Sequence, residues 1–199
     1  MERNDIQKRC MQTTFNIVRS ESNSPDTEKC IEGYFALYEN ETELWAGCRE
    51  IITKGAFKDT ITKNDIRALI NHDTTLVLGR NKSGTLIIKE DDKGLYGKIK
   101  INEKDSDAMN LYSRVERGDV DQCSIGFNIV DEEYEELADG SVRFRIKEVD
   151  LHEVSCCTFP AYEDTSIQAR KRDVEQIKTR KLEFQKNNLR KRLEELKNA

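Results

Sequence analysis

The sequence predicts a β-rich α+β fold: a barrel-like sheet with two or three short helices, followed by a helical tail. Short runs rich in β-branched and aromatic residues recur up to Pro160. These runs do not alternate with helices, as a βαβ fold would require. Beyond about Ser166 the chain has no Gly or Pro and is densely charged, which favours a long helix.

The strand signals follow one another along the chain with polar loops between them. They cover residues 13–18, 31–38, 49–57 and 66–70, three runs of a β-meander within 75–102, residues 122–130, and two runs within 141–159. The segments "RNKSG" and "EDDKG" are the turns of the meander, since they combine Gly with polar residues.

One internal segment, "DSDAMNLYSRVERGD", changes to a helical period. Asp105 or Ser106 is the expected N-cap, and Gly118 is the expected C-terminal stop. The apolar residues that share one face of this helix are Met109, Leu111, Tyr112 and Val115.

Charge divides the chain into two segments. Residues 170–199 contain 11 Lys/Arg against 5 Asp/Glu, a net +6, and because the whole chain carries −5, residues 1–169 carry −11. We therefore expect a domain over residues 1–167 and a basic helical tail over residues 168–199. An imperfect apolar stripe runs along the tail and predicts an amphipathic helix: Val174, Ile177, Leu182, Leu189, Leu193 and Leu196.

Composition argues against several classes of protein. No stretch approaches the length of an apolar membrane span, and the N-terminus "MERNDIQKRCMQTTF" lacks the apolar core of a secretory signal. The six cysteines show neither zinc-ligand spacing nor a disulfide framework, so we expect reduced thiols and no metal or other cofactor. The basic residues lie in one helix with a single aromatic, Phe184, so nucleic-acid binding is not expected.

Histidine is scarce, and its two positions, His72 and His152, are the candidates for a base near neutral pH. His72 follows the apolar run "IRALI", which places it at the rim of a sheet. A structural or exposed histidine is the alternative interpretation of the same position.

Glu153 lies within an apolar strand, where an ionised carboxylate is costly unless it has a partner. Strict alternation along the strand would place Leu151, Glu153 and Ser155 on one face and His152 on the other. A histidine ring N–H would suit the carboxylate, as in a Ser-His-acid triad. A salt bridge to Arg143 or Arg145 is the alternative.

Ser124, in "DVDQCSIGF", is the candidate nucleophile, although a core serine bonded to a carbonyl is the simpler interpretation. Alternation places Cys123 on the opposite face of the strand. Gly126 allows a substrate chain to approach closely, and its N–H or Arg114 is a candidate oxyanion donor.

The motifs "NHD", "VLGRNKSGTL", "DVDQCSIGF" and "HEVSCCTFPAYEDT", in this order, resemble the prohead (capsid maturation) proteases of tailed bacteriophages, which are related to herpesvirus assemblins. The resemblance covers residues 30–168 and implies a closed β-barrel and a serine endopeptidase. It aligns His72, Ser124 and Glu153 with the family's catalytic histidine, serine and glutamate. Cys123 departs from the apolar residue that the family has before its serine, and His152 is an alternative third member.

The same resemblance implies action inside the assembling procapsid, in the host cytoplasm, on scaffold and major capsid protein segments. Self-association and self-cleavage near residues 166–173 are further expectations, with the tail directing the enzyme into the shell. Two other hypotheses remain open: a non-catalytic scaffold-like assembly module, and a cysteine hydrolase that uses Cys123 with His72.

Overall fold

A computed structural model describes residues 6–13, 15–19, 28–159 and 164–197. The chain divides into two compact units, residues 1–162 and residues 163–199. Within the described residues, the first unit contains eleven strands and two short helices, and the second is one helix. No helix in these ranges is both long and apolar enough to cross a membrane.

The strands of the first unit form two sheets. Seven belong to the first sheet: β1 (Gln7–Gln12), β4 (Thr42–Trp45), β5 (Cys48–Ile52), β6 (Arg67–Ile70), β7 (Asp73–Arg80), β10 (Gln122–Glu136) and β11 (Val142–Cys157). Four belong to the second: β2 (Asn16–Arg19), β3 (Lys29–Leu37), β8 (Leu86–Glu90) and β9 (Gly94–Lys100). The helices are α1 (Thr60–Lys63), α2 (Ser106–Arg117) and α3 (Asp164–Lys197).

The β-rich prediction is confirmed, but the predicted closed barrel is wrong. The first sheet runs β1-β10-β11-β5-β4 and the second runs β2-β3-β9-β8, and no ladder joins their ends within the described residues. The long strand β11 pairs with β10 along one edge and shares its other edge between β5 and β6, both parallel to it. This division forks the sheet instead of closing it.

Helix α2 forms as its sequence predicts. The Asp105 side chain accepts hydrogen bonds from the backbone N–H groups of Asp107 and Ala108, which satisfies donors that the first turn leaves free. Gly118 ends the helix with a left-handed φ of 85°. The predicted face is turned inward, with Leu111, Tyr112 and Val115 buried.

One apolar core joins both sheets and α2. Its members include Ile31 and Phe35 from β3, Leu95 and Ile99 from β9, Ile125 and Phe127 from β10, and Leu151 and Val154 from β11. Over residues 123–129 of β10 and 149–156 of β11, one face of each strand therefore packs against the core.

Several strands differ from the prediction. Strands β1 and β4 have no counterpart among the predicted strands, and residues 142–157 form one long strand where two were expected. The tail is helical, as predicted, over Asp164–Lys197. Its apolar stripe is only partly exposed: Val174 is buried and Ile177 is half-buried, whereas Leu182 and Leu189 are 51% and 59% accessible. Leu193 and Leu196 lie outside the described side chains.

Candidate active site

His72 lies in the two-residue turn that joins β6 to β7. Asn71 and His72 both have positive φ, 50° and 61°, as a type I′ hairpin turn requires. For residues other than Gly this conformation costs about 1–2 kcal/mol each. The Asn71 N–H donates to the Cys156 carbonyl at 3.0 Å, and its Oδ1 accepts from the Thr158 N–H at 2.9 Å. These bonds dock the turn on the end of β11.

The turn brings the His72 ring against Glu153, the predicted orienting acid. The His72 Nδ1 lies 2.6 Å from Glu153 Oε1, and the two side chains are 6% and 12% exposed. A carboxylate accepts hydrogen bonds, so Nδ1 carries a proton whether the ring is neutral or charged, and in the neutral ring Nε2 presents its lone pair. The pair has the geometry of the histidine–acid half of a triad.

Ser155 completes this arrangement, and its role was not predicted from the sequence. Its hydroxyl donates to Glu153 Oε2 at 2.6 Å and accepts from the His72 backbone N–H at 3.2 Å. Ser155 is fully buried. The three residues form a closed network, which we call the His72–Glu153–Ser155 network, and both carboxylate oxygens have partners in it.

The network alters the ionisation of His72. Burial by itself lowers the pKa of the imidazole, but hydrogen bonds with Cys10 and Glu153 and the charge of Glu153 outweigh burial and raise this pKa to about 9. The site therefore stabilises an imidazolium, the species that forms when a histidine takes a proton from a nucleophile.

Gly126 makes room for the Glu153 carboxylate. The two residues are cross-strand partners on β10 and β11, and a Cβ added to Gly126 would lie 2.3 Å from Glu153 Oε1. The close approach predicted at Gly126 exists, but the approaching group is Glu153. Arg114, the other candidate oxyanion donor, lies exposed on α2.

A β-bulge at His152 corrects the predicted alternation of β11. Glu153 pairs with Gly126 while Leu151 pairs with the next residue of β10, so His152 has no register partner. Leu151 therefore faces the core and does not share a face with Glu153. The His152 Nε2 contacts Asn128 Oδ1, so His152 belongs to a different set of contacts from the network.

The alternative salt bridges to Glu153 do not form. Arg143 pairs with Glu41 and Glu135, and Arg145 pairs with Glu39. Both arginines lie in the first part of β11, alongside β5, whereas Glu153 lies alongside β6.

Ser124 lies on β10 between Cys10 of β1 and Ser155 of β11, its two register partners. Paired residues of antiparallel strands point to the same face, so Ser124 shares the face of Ser155 and Glu153. The hydroxyl is fully buried and donates to the Arg9 carbonyl on β1 at 3.1 Å. Strand β1 therefore covers Ser124.

Cys123 points the other way, into the core. It is fully buried, and its thiol donates to the Tyr34 carbonyl at 3.3 Å. Burial raises the pKa of this thiol well above its usual value. The structure does not bring Cys123 and His72 together, as the cysteine-hydrolase hypothesis requires.

Strand β1 is held at the edge of β10 by a buried ion pair. The Arg9 guanidinium binds both carboxylate oxygens of Glu50 on β5, with Nη2 to Oε2 at 3.0 Å. The two residues are 9% and 3% exposed. This bidentate contact fixes the register that places Cys10 opposite Ser124.

Two thiols that the sequence did not single out also reach the site. Cys157 Sγ lies 3.9 Å from His72 Nε2, and Cys10 is hydrogen-bonded to the same imidazole. Alternation predicted that Ser155 shares the face of Glu153, but not that it would hydrogen-bond Glu153 and His72. Cys10 carries no such signal, because 62 positions separate it from His72.

The chain is similar to known proteins over most of its length. Residues 15–180 match the family described as caudovirus prohead serine protease. Over 143 residues the chain is 32% identical to the prohead protease of Enterobacteria phage HK97, covering 70% of this chain and 59% of that protein. The bacteriophage T4 capsid assembly protease gp21 matches with a TM-score of 0.49 and 14% identity, over 76% of this chain and 96% of that one, a likeness too weak to bear on the fold. The predicted resemblance is confirmed by the first two matches: the chain belongs to the caudovirus prohead serine protease family.

Proposed function

We propose that the chain is a serine endopeptidase in which Ser124 is the nucleophile, His72 the general base and Glu153 the orienting acid. The observation that carries the proposal is the hydrogen bond from His72 Nδ1 to Glu153, on the sheet face that also holds Ser124. Membership of a serine protease family supports the same chemistry.

The proposed reaction uses these three side chains in turn. The Ser124 hydroxyl turns from the Arg9 carbonyl toward His72, whose Nε2 takes its proton as the oxygen attacks the scissile carbonyl. Glu153 stabilises the imidazolium that results. The imidazolium then protonates the departing amine, and water hydrolyses the acyl-enzyme by the same route.

Access to Ser124 depends on β1. The serine is fully buried while β1 pairs with β10, so a substrate reaches it only when β1 leaves that edge. A vacated strand edge offers backbone donors and acceptors to an extended peptide. An extended segment of another protein, or of this chain, is therefore the proposed form of the substrate.

The substrates are proposed from family membership and from the name of the HK97 relative, a prohead protease. We propose that the chain acts inside an assembling procapsid in the host cytoplasm. It would cut segments of the major capsid protein and scaffold there, with self-association raising its local concentration. Self-cleavage near residues 166–173 would need the first turns of α3 to unwind, since these residues are helical.

The test compares Ser124→Ala with Cys123→Ala. Incubation with the capsid subunit, followed by mass spectrometry, should show cleavage by the wild type and by Cys123→Ala, but not by Ser124→Ala. Replacing a triad nucleophile leaves only the residual catalysis of binding and the oxyanion hole. Cleavage by Ser124→Ala with loss in Cys123→Ala would reverse the assignment.

The other triad members have their own variants. His72→Ala should abolish cleavage, and Glu153→Gln should reduce it strongly but less, because the acid supports the imidazolium without taking the proton. His152→Ala is the matched histidine control and should have little effect. An unimpaired His72→Ala, with capsid assembly retained, would favour the non-catalytic assembly module.

A further inference from the structure

Three side chains that could bind a metal converge where β1, the β6–β7 turn and the end of β11 meet. They are Cys10, His72 and Cys157, and their ligand atoms all lie within 4.8 Å of one another. Cys10 and Cys157 are 7% and 1% exposed, and the His72 side chain is 6% exposed. Two thiols and an imidazole nitrogen form a donor set that suits zinc.

We propose that Cys10, His72 and Cys157 form a binding site for a thiophilic divalent cation such as Zn²⁺. The ligands would be the two Sγ atoms and His72 Nε2. In a tetrahedral site with Zn–S about 2.3 Å and Zn–N about 2.0–2.1 Å, sulfur and nitrogen lie about 3.6 Å apart. The observed Cys157 Sγ to Nε2 distance is 3.9 Å, so a small inward movement suffices.

The surroundings of His72 match those of a metal-binding histidine. Such a histidine donates its second ring N–H to a carboxylate or carbonyl, which fixes the tautomer and orients the free nitrogen toward the metal. Here Nδ1 is bonded to Glu153 Oε1 at 2.6 Å, and Ser155 holds the other carboxylate oxygen at 2.6 Å. The ring is therefore oriented before any metal arrives.

The charges of the site also suit a buried divalent ion. Binding releases to solvent one proton from each thiol and, where the His72 ring is protonated, the proton on Nε2, and two thiolates neutralise the two positive charges of the ion. The third ligand, a neutral imidazole, adds no charge. Three protein ligands leave the fourth tetrahedral position to water, as in other three-ligand zinc sites.

Metal binding and catalysis exclude each other at this site. The lone pair of Nε2 that would bind the metal is the one that accepts the Ser124 proton in the proposed mechanism. Cys10 also ties β1 to β11 through the ion, so the strand that covers Ser124 is fastened in place. This inhibitory consequence rests on the proposed function, whereas the metal site itself does not.

The binding test uses the full chain carrying Ser124→Ala, which prevents self-cleavage. Equilibrium dialysis against Zn²⁺ should give one ion per chain, and Co²⁺ should show the absorption bands of tetrahedral thiolate coordination. Cys10→Ser and Cys157→Ser should each weaken binding at least roughly tenfold. Even mutations of residues that only hydrogen-bond the ligands lower metal affinity about 10–100-fold. Cys30→Ser and Cys48→Ser, at buried thiols elsewhere, should leave it unchanged.

Three results would overturn the site. The first is zinc binding that Cys10→Ser and Cys157→Ser leave unchanged, and the second is the absence of stoichiometric binding. The third is a Cys10–Cys157 disulfide without bound metal, seen in intact-mass analysis of protein kept free of reducing agent as the loss of two hydrogens.

An activity measurement tests the inhibitory consequence. Zn²⁺ should stop cleavage by the wild type, a chelator should restore it, and Cys10→Ser should need at least roughly tenfold more Zn²⁺ for the same inhibition. Full zinc binding without inhibition would overturn the consequence. An inactive wild type that still binds zinc through Cys10 and Cys157 would refute the proposed function and leave the metal site standing.

Discussion

At the scale of single residues, the candidate site depends on contacts that hold one carboxylate. Glu153 has a partner on each oxygen, His72 on Oε1 and Ser155 on Oε2, and it lies over a glycine that has no side chain to obstruct it. A carboxylate held on all sides keeps the imidazole in one orientation. Catalysis is sensitive to such positioning, since a misplacement of about 1 Å can cost on the order of 10²-fold in rate.

Gly126→Ala should therefore strongly reduce the proposed peptidase activity without unfolding the chain. The added methyl would meet Glu153 Oε1 at 2.3 Å, so the carboxylate must move away from His72. We expect kcat to fall by on the order of 10²-fold, measured with a peptide substrate. In a Glu153→Gln background, Gly126→Ala should lower kcat little further, because the contact between His72 and the Glu153 carboxylate is already lost. Additive losses would contradict this.

Ser155→Ala should reduce kcat with little change in KM. It removes a hydrogen bond to a charged group worth about 1.5–3 kcal/mol, which corresponds to a loss of roughly tenfold to a hundredfold if the bond acts in the transition state. Ser113→Ala is the matched control, because Ser113 only bonds the Met109 carbonyl on the exposed side of α2. Equal effects of the two variants would exclude a positioning role for Ser155.

The His72 pKa can be measured directly, because the chain has two histidines and His152→Ala leaves one. An NMR titration should place the His72 pKa near 9, and Glu153→Gln should lower it. Since the folded pKa lies above the unfolded value of about 6.5, His72 stabilises the fold fully below that value, and the contribution disappears as the pH rises through about 9. A His72 signal that titrates below 6.5 would contradict this.

At the scale of elements, a strained turn and a bulge aim the two histidines differently. The left-handed Asn71–His72 turn directs His72 toward β11, while the bulge in β11 turns His152 toward Asn128. Strand β1 then closes the site from the edge of the sheet. Its attachment depends on Arg9, whose partner Glu50 lies on β5, between β11 and β4.

Arg9→Met should destabilise the fold by about 3–5 kcal/mol, because it removes the guanidinium charge that binds both oxygens of the buried Glu50 carboxylate. The Glu50 side chain cannot reach solvent without disturbing β5, which lies between β11 and β4. Urea denaturation monitored by circular dichroism measures the change. The double variant Arg9→Met/Glu50→Met should recover most of the loss, since well-packed apolar residues can replace a buried ion pair. A double variant as unstable as the single one would contradict this explanation.

At the scale of the whole molecule, charge and structure divide the chain in similar places. The +6 segment begins at residue 170 and the second compact unit begins at residue 163. The first unit contains the core and every residue of the candidate site. The assignment of residues 1–167 as a protease domain stays a proposal, and it can be tested by truncation.

A chain ending at residue 167 should fold and keep the proposed peptidase activity. The core members and the His72–Glu153–Ser155 network all lie before this point, so the truncated chain keeps both. The measurements are the thermal unfolding temperature and the rate of peptide hydrolysis of the truncated chain, each compared with the full chain. The same truncation carrying Ser124→Ala controls for contaminating proteases. Aggregation or loss of activity in the truncated chain would show that the tail belongs to the domain.

The sequence by itself determined the features that depend on neighbours along the chain. The caps and buried face of α2, most strands and the helical tail follow from local periodicity and from residues such as Asp105 and Gly118. The scarcity of histidine and the buried position of Glu153 singled out two residues that the fold brings into contact. The role of Ser124 came from family resemblance, not from its surroundings in the chain.

Tertiary structure alone decided which distant segments meet. Pairing of β1 with β10, the fork at β11 and the open sheets depend on contacts between strands far apart in sequence, and local periodicity carries no information about them. The bulge at His152 changes which side chains share a face, although the residues keep an alternating pattern. Cys10, His72 and Cys157 meet for the same reason. The fold brings together a strand, a turn and the end of another strand, and their spacing in the sequence does not predict this contact.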